Sequence, residues 1–233
     1  MPGPQGPTLR GGFWTWTDRQ EDVEVLFTGR GPTNDREEIL RAVAPDAPPL
    51  AWAKQIHSAV VLPARPGVCG EGDAVVTAGP GLTVAVVTAD CVPILIAGPE
   101  GLAAVHAGWR GIVNGVIPAA LERMTGDPGE RTAWIGPAIG ACCYEVGDDV
   151  AAQVIAASAP EVARRGPTAK PHLDLQAAAR IQLERAGVGR VHVVSHCTRC
   201  DAGKLWSYRR EGKGAGRNLA FLWRRAPPRD SFL

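Results

Sequence analysis

The segment TADCVPILIAGPEGLAAVHAGWRG, Thr88 to Gly111, constrains this chain more than any other. Two apolar runs flank the turn-forming tetrapeptide Gly98-Pro99-Glu100-Gly101, which predicts a buried β-hairpin. Pairing Ala97 with Leu102 sets a register in which His106 opposes Pro93 and Cys91 opposes Gly108. Side chains alternate along a strand, so Cys91 and His106 share a face as diagonal neighbours, roughly 7–8 Å apart at the backbone. A slip of one residue would put them on opposite faces. Reactive side chains thus gather at the open end of the most hydrophobic segment, with Asp90 and Cys91 on one strand and His106, Trp109 and Arg110 on the other.

A thiolate and an imidazole suit zinc or another borderline metal, and a third ligand is required. Among the remaining histidines His57 fits best, because KQIHSAV breaks a strand between polar Gln55 and Ser58. Three protein ligands leave one position open, as in catalytic zinc sites. A rival cluster lies in HVVSHCTRC. His192 and His196 on one strand would be roughly 13 Å apart, too far to share an ion. Cys197-x-x-Cys200 has no second CxxC to complete a zinc ribbon.

The rest of the chain reads as one mixed α/β (α+β) domain over residues 13–225, with flexible tails at 1–12 and 226–233. Strands are expected at VEVLFTGRG, on either side of the turn AGPG, in TAWIG, in GRVHVVSHC and in GRNLAFLWR. Helices are expected in TNDREEILRAV with Thr or Asn as N-cap, after the Gly-rich turn in GWRGIVNGVIPAALERM with a kink or a late start at Pro118, in DDVAAQVIAAS, and in LDLQAAARIQLERAG between Asp174 and Gly187. Short connections between neighbouring strands argue for mixed sheets with flanking helices, not for a doubly wound Rossmann fold.

Net charge is +1, which excludes an electrostatic nucleic-acid binder. The longest apolar run is broken by Asp90 and Pro93 and is too short to span a membrane. The N-terminus lacks the order of a secretory signal, so the expected compartment is the cytoplasm and the six cysteines are expected as thiols.

The stretches QIHSAVV, GEGDAVVT, TADCVPILIA, VHAGWRGIVNGVI, IGPAIGACCYEVGDDV, LDLQAAARIQL and SYRREGKGAGRNLAFLW, in this order, resemble the laccase-domain family, the YfiH or multicopper polyphenol oxidase type. The resemblance runs from about Phe27 to Trp223 and implies the YfiH-like fold of mixed sheets with flanking helices. It implies one zinc held by His57, Cys91 and His106, with copper able to replace it in vitro. It implies purine nucleosides and phosphate as small-molecule partners, with phosphorolysis of adenosine, inosine, guanosine and methylthioadenosine and deamination of adenosine. Other activities attached to the family are copper-dependent phenol oxidation and editing of peptidoglycan precursors by a hydrolase, for which Cys91 or Cys142 would be the nucleophile. The loop after Arg30 is shortened here to GPTNDREE.

Phosphorolysis needs cations for phosphate and an acid or metal for the leaving purine. Candidates for phosphate and substrate are Arg30, Trp109, Arg209 and Arg217, with Arg110, Arg210 and the helix N-terminus after Gly111 as further anion sites and Cys142 in a Gly-rich loop lining the pocket. Asp73 is a candidate for orienting a metal-bound histidine or for acid–base work, and Asp90 for a supporting role. The H-x-E and P-C-x-x-C signature of nucleobase deaminases is absent. Five histidines are too few for a multicopper oxidase.

Overall fold

The computed structural model describes residues 3–166 and 168–225; the tail expected at 226–233 lies outside the described residues. In chain order its strands and helices are β1 (Gln5–Arg10), β2 (Phe13–Gln20), β3 (Val23–Thr28), α1 (Arg36–Val43), β4 (Leu50–Lys54), β5 (Val61–Pro63), β6 (Gly67–Glu71), β7 (Ala74–Thr77), β8 (Thr83–Thr88), β9 (Val92–Gly98) and β10 (Gly101–Ala107). The second half holds α2 (Trp109–Asn114), α3 (Val116–Glu122), β11 (Thr132–Ile135), α4 (Asp148–Ala157), β12 (Ala163–Arg165), β13 (Pro171–Leu173), α5 (Leu175–Arg185), β14 (Arg190–Val193), α6 (Tyr208–Glu211) and β15 (Asn218–Arg224).

Two large mixed sheets pack face to face. The first has the order β1-β2-β3-β15-β8-β4-β6, and the second β14-β11-β9-β10-β7-β5. Between them lies a core of Trp16, Phe27, Val86, Leu95, Leu102 and Trp134. The outer face of the first sheet is covered by α1, whose Ile39, Leu40 and Val43 meet Phe13, Leu26 and Phe221. Helices α2 to α5 cover the outer face of the second sheet, where Ile112, Ile117, Val154 and Leu183 meet Val92, Ile94, Ile96, Ala103 and Val105. Strands β9 and β10 are therefore buried on both faces, which is why their sequences are apolar without alternation. Among the described residues no helix is long and apolar enough to cross a membrane.

The expected hairpin register holds, with Ala97 opposite Leu102 and His106 opposite Pro93. Other expectations change. Residues 5–10, expected in a flexible tail, pair with β2 as an edge strand. The turn AGPG is not a hairpin: β7 joins the second sheet and β8 the first, so the chain crosses between layers there. The N-cap of α1 is Asp35, whose side chain accepts the N–H groups of Glu37 and Glu38. The helix expected after Gly111 starts earlier, at Trp109, and breaks at Gly115 in the left-handed conformation at φ 80°. Pro118 falls in the first turn of α3, where its missing N–H costs no hydrogen bond.

Candidate metal centre

The crossings between the sheets create the site. β4 and β8 run parallel in the first sheet, so both end at the same edge. After β4 the chain crosses through His57 to β5, and after β8 it crosses through Asp90 and Cys91 to β9. Gln55 joins the two crossings: its side chain donates to the Val87 carbonyl at 2.7 Å and accepts the Val87 N–H at 2.8 Å. His106 closes the third side from the end of β10. By strand parity it shares the face of Leu102 and Ala104, which points between the sheets.

One nitrogen from each of His57 and His106 and the Cys91 sulfur all lie within 4.8 Å of one another. Cys91 Sγ is 3.9 Å from His57 Nε2, and the two imidazoles stand edge to face with ring centroids 4.9 Å apart. A tetrahedral ion with bonds of about 2.3 Å to sulfur and about 2.0 Å to nitrogen needs a spacing near 3.5 Å, so the three donors fit such an ion with a small contraction. Gly108, the N-cap of α2, makes room for them. A Cβ at this position would stand 3.0 Å from Cys91 Sγ and 3.2 Å from a carbon of the His57 ring.

Asp73 organises the triad from behind. It is fully buried, and one oxygen accepts from His106 Nδ1 at 2.8 Å. The carboxylate also accepts the backbone N–H groups of Ile56, His57 and Ser58 and the Ser58 hydroxyl. These bonds hold His57 in the left-handed region at φ 59°, which is costly for a residue with a Cβ. They also fix the proton of His106 on Nδ1 and leave Nε2 as the ligand nitrogen. Burial alone would raise the Asp73 pKa, but the bonds from His106 and Ser58 outweigh it and hold the carboxyl well below the usual range. Both Asp73 oxygens are thus engaged by protein donors.

The protein groups alone form a charged pair. Burial opposes ionisation of Cys91, yet hydrogen bonds from His106 and His57 bring its thiol down to about 6. Burial likewise opposes the charge on His106, but Asp73 and Cys91 raise it to about 9.

Of the other expected site residues, Arg209 bonds the neighbour of Cys91 and Trp109 directly follows Gly108, while Arg30, Arg217 and Cys142 have partners outside the triad. The backbone N–H of Arg209 bonds to Asp90 Oδ2 at 2.6 Å, and its guanidinium lies 5.2 Å from the Tyr144 ring centroid. Asp90 is held at φ 101° by this bond and by the Thr198 hydroxyl at 2.6 Å, a supporting role. Trp109 begins α2 next to Gly108, with Arg110 stacked 4.4 Å over its ring. Arg30 is instead committed to structure: it pairs with Glu211, bonds the Leu205 carbonyl and stacks 3.8 Å over Trp206. Arg210 is similarly spent on Glu211 and on the carbonyls of Thr198, Arg199 and Leu205. Arg217 donates to the carbonyls of Ala215 and Gly216. Cys142 turns toward Cys200, at 3.6 Å.

Tyr144 was not among the expected site residues. Burial pushes its phenol up to about 12, with Cys91 and Asp90 adding to the shift and Arg209 and Arg110 opposing it. Its ring lies 5.2 Å from the guanidinium of Arg209, whose backbone N–H bonds Asp90. The signal was its place in GACCYEVG, directly after two cysteines that drew the attention. His192 and His196 are packing residues, stacked on Trp134 and set edge-on to Trp16.

A sandwich of two mixed sheets with a His–Cys–His donor set at its open end defines a class, the α/β proteins that carry one candidate transition-metal centre between sheet crossings. The model of the multi-copper polyphenol oxidoreductase laccase family matches residues 32–225, and the chain belongs to this laccase-domain family. It is 36% identical over 240 residues to "Purine nucleoside phosphorylase SCO2081" of Streptomyces coelicolor, covering 94% of this chain and 98% of that one. It is 41% identical over 213 residues to a purine nucleoside phosphorylase of Deinococcus radiodurans, covering 88% and 79%. The crystal structure of protein NMB0706 from Neisseria meningitidis superposes with a TM-score of 0.80 at 32% identity, covering 92% of this chain and 100% of that one.

Proposed function

We propose that this chain is a zinc-dependent purine nucleoside phosphorylase that also deaminates adenosine. The observation that carries the reading is the convergence of His57, Cys91 and His106 with Asp73 fixing the ligand tautomer, next to Tyr144 and Arg209. Full-length relatives named purine nucleoside phosphorylases support the substrate class. Adenosine, inosine, guanosine and methylthioadenosine share the purine–ribose bond that such a pocket would address.

Zinc held by the three side chains would supply a Lewis acid and would lower the pKa of water near it, as deamination at carbon 6 requires. The protein's own groups do the rest. Arg209 and Arg110 provide positive charge for a phosphate beside the centre. A phosphate oxygen attacks the anomeric carbon, the bond to the purine nitrogen breaks, and the electron pair leaves with the base. Tyr144, kept protonated by burial, donates a hydrogen bond to the purine or the ribose. Asp73 keeps His106 and His57 in place throughout.

Incubation with adenosine and phosphate should release adenine and ribose 1-phosphate, with inosine and hypoxanthine from the deamination branch. His57→Ala, Cys91→Ala and His106→Ala should each abolish turnover, and a chelator should do so reversibly. Turnover that survived all three substitutions, or base release that gave free ribose without phosphate dependence, would remove the reading. Phenol oxidation that needed several copper ions per chain would favour the oxidase alternative instead.

A further inference from the structure

Four of the six cysteines meet in one place outside the centre described above. Cys142 and Cys143 come from the loop between β11 and α4, and Cys197 and Cys200 from the loop after β14. Their sulfur atoms all lie within 4.8 Å of one another. Cys200 Sγ is 3.6 Å from Cys142 Sγ and 3.3 Å from Cys143 Sγ. A tetrahedral zinc with bonds of about 2.3 Å to sulfur sets its thiolates near 3.8 Å apart, whereas a disulfide requires about 2.05 Å. The observed spacing matches the first arrangement.

Hydrogen bonding points the same way. Cys197 Sγ accepts the Gly140 N–H at 3.3 Å. A backbone N–H aimed at a sulfur stabilises its thiolate form. The group consists of four sulfurs alone, with no carboxylate or imidazole among them. Four crowded thiols become four thiolates only with a cation between them.

We propose that Cys142, Cys143, Cys197 and Cys200 form a second metal site, a closed four-thiolate site for zinc. With no open position it is structural. It clamps together the two loops that supply the surroundings of the triad. Tyr144 directly follows Cys143. Thr198 follows Cys197 and bonds Asp90, the neighbour of Cys91. Ala138 and Cys197 already form a backbone bridge between the same loops. Cys142 and Cys200 are exposed, so the site is open to chelators and oxidants. The inference is independent of the reaction assigned to the first centre.

The test is the metal content of the full chain, expressed with zinc and purified under reducing conditions. About two zinc ions per chain are expected, one per site. The pair Cys197→Ser/Cys200→Ser should lower this by about one, and the pair His57→Ala/His106→Ala by about one independently. Cobalt loading assigns the site. Intense thiolate-to-cobalt charge transfer should persist in the histidine variant, and in the cysteine variant it should fall to the weaker band of the single Cys91 thiolate. Should the serine pair fail to fold, thiol alkylation of the unaltered chain gives the same answer. All four cysteines should resist modification until a chelator is added, then react together. About one zinc per chain that is lost only with His57 and His106 would overturn the proposal, as would a disulfide from Cys200 to Cys142 or Cys143 in the reduced preparation.

Discussion

Asp73 Oδ1 sits 2.8 Å from Nδ1 of His106 and 3.0 Å from the backbone N–H of His57. One buried carboxylate thus orients a ligand ring and fixes the backbone of a second ligand, across strands remote in sequence. Asp73→Asn keeps an acceptor but loses the charge, and metal affinity should fall about 10–100-fold in competition with a chelator. Asp73→Ala should also destabilise the fold by about 3 kcal/mol in denaturant unfolding, because several donors lose a buried partner. Unchanged affinity in Asp73→Asn would show that the carboxylate serves only the loop.

Gly108→Ala separates the metal site from the fold. The backbone there has φ −73°, which alanine adopts freely, but its Cβ meets Cys91 and His57. Metal binding should weaken by at least about tenfold while the melting temperature of the chelated protein stays within a few degrees. A variant that bound metal normally would mean that the two ligands relax away from the added methyl.

The two histidines should differ in what they cost the fold. His57 is exposed and His106 is buried against Asp73. In chelated protein His57→Ala should change stability by less than about 1 kcal/mol, whereas His106→Ala should lose about 3 kcal/mol by leaving Asp73 without its charged partner. Equal losses in thermal unfolding would contradict this account of the site.

Cys91 should react as a thiolate in chelated protein. Its pKa lies near 6, so the ionised fraction grows as pH rises through 6. Alkylation of Cys91, followed by peptide mapping, should be half-maximal near that pH, against about 8.5 for an ordinary thiol. His106→Ala removes the largest lowering contribution and should move the midpoint upward. A midpoint at the ordinary value in the unaltered protein would mean that the imidazoles do not polarise the sulfur.

The hairpin and its consequence were legible because they are local. GPEG fixes the register, and the register alone places Cys91 and His106 on one face. The helix boundaries at Asp174 and Gly187 were legible for the same reason. AGPG carries similar turn chemistry, yet it joins strands of different sheets, and no local feature distinguishes the two cases. Residues 5–10 read as a tail because Pro and Gly dominate their surroundings, but β2 offers an open edge to pair with. Cys197 and Cys200 are joined not by a second CxxC but by the adjacent pair Cys142-Cys143 from a loop distant in sequence, a pattern with no local signature.

The sequence by itself determined the apolar hairpin, the parity of Cys91 and His106, and the residue types able to hold a metal. Tertiary structure decided that Arg30 meets Glu211 and the Leu205 carbonyl, far along the chain, whereas Arg210 and Arg217 bond groups close in sequence. It also decided that Asp73 bonds both His57 and His106 and that four cysteines meet. The physical reason is common to all of these: turn and strand preferences act over a few residues, whereas layer packing and hydrogen-bond satisfaction are settled between segments that meet only after the sheets have stacked.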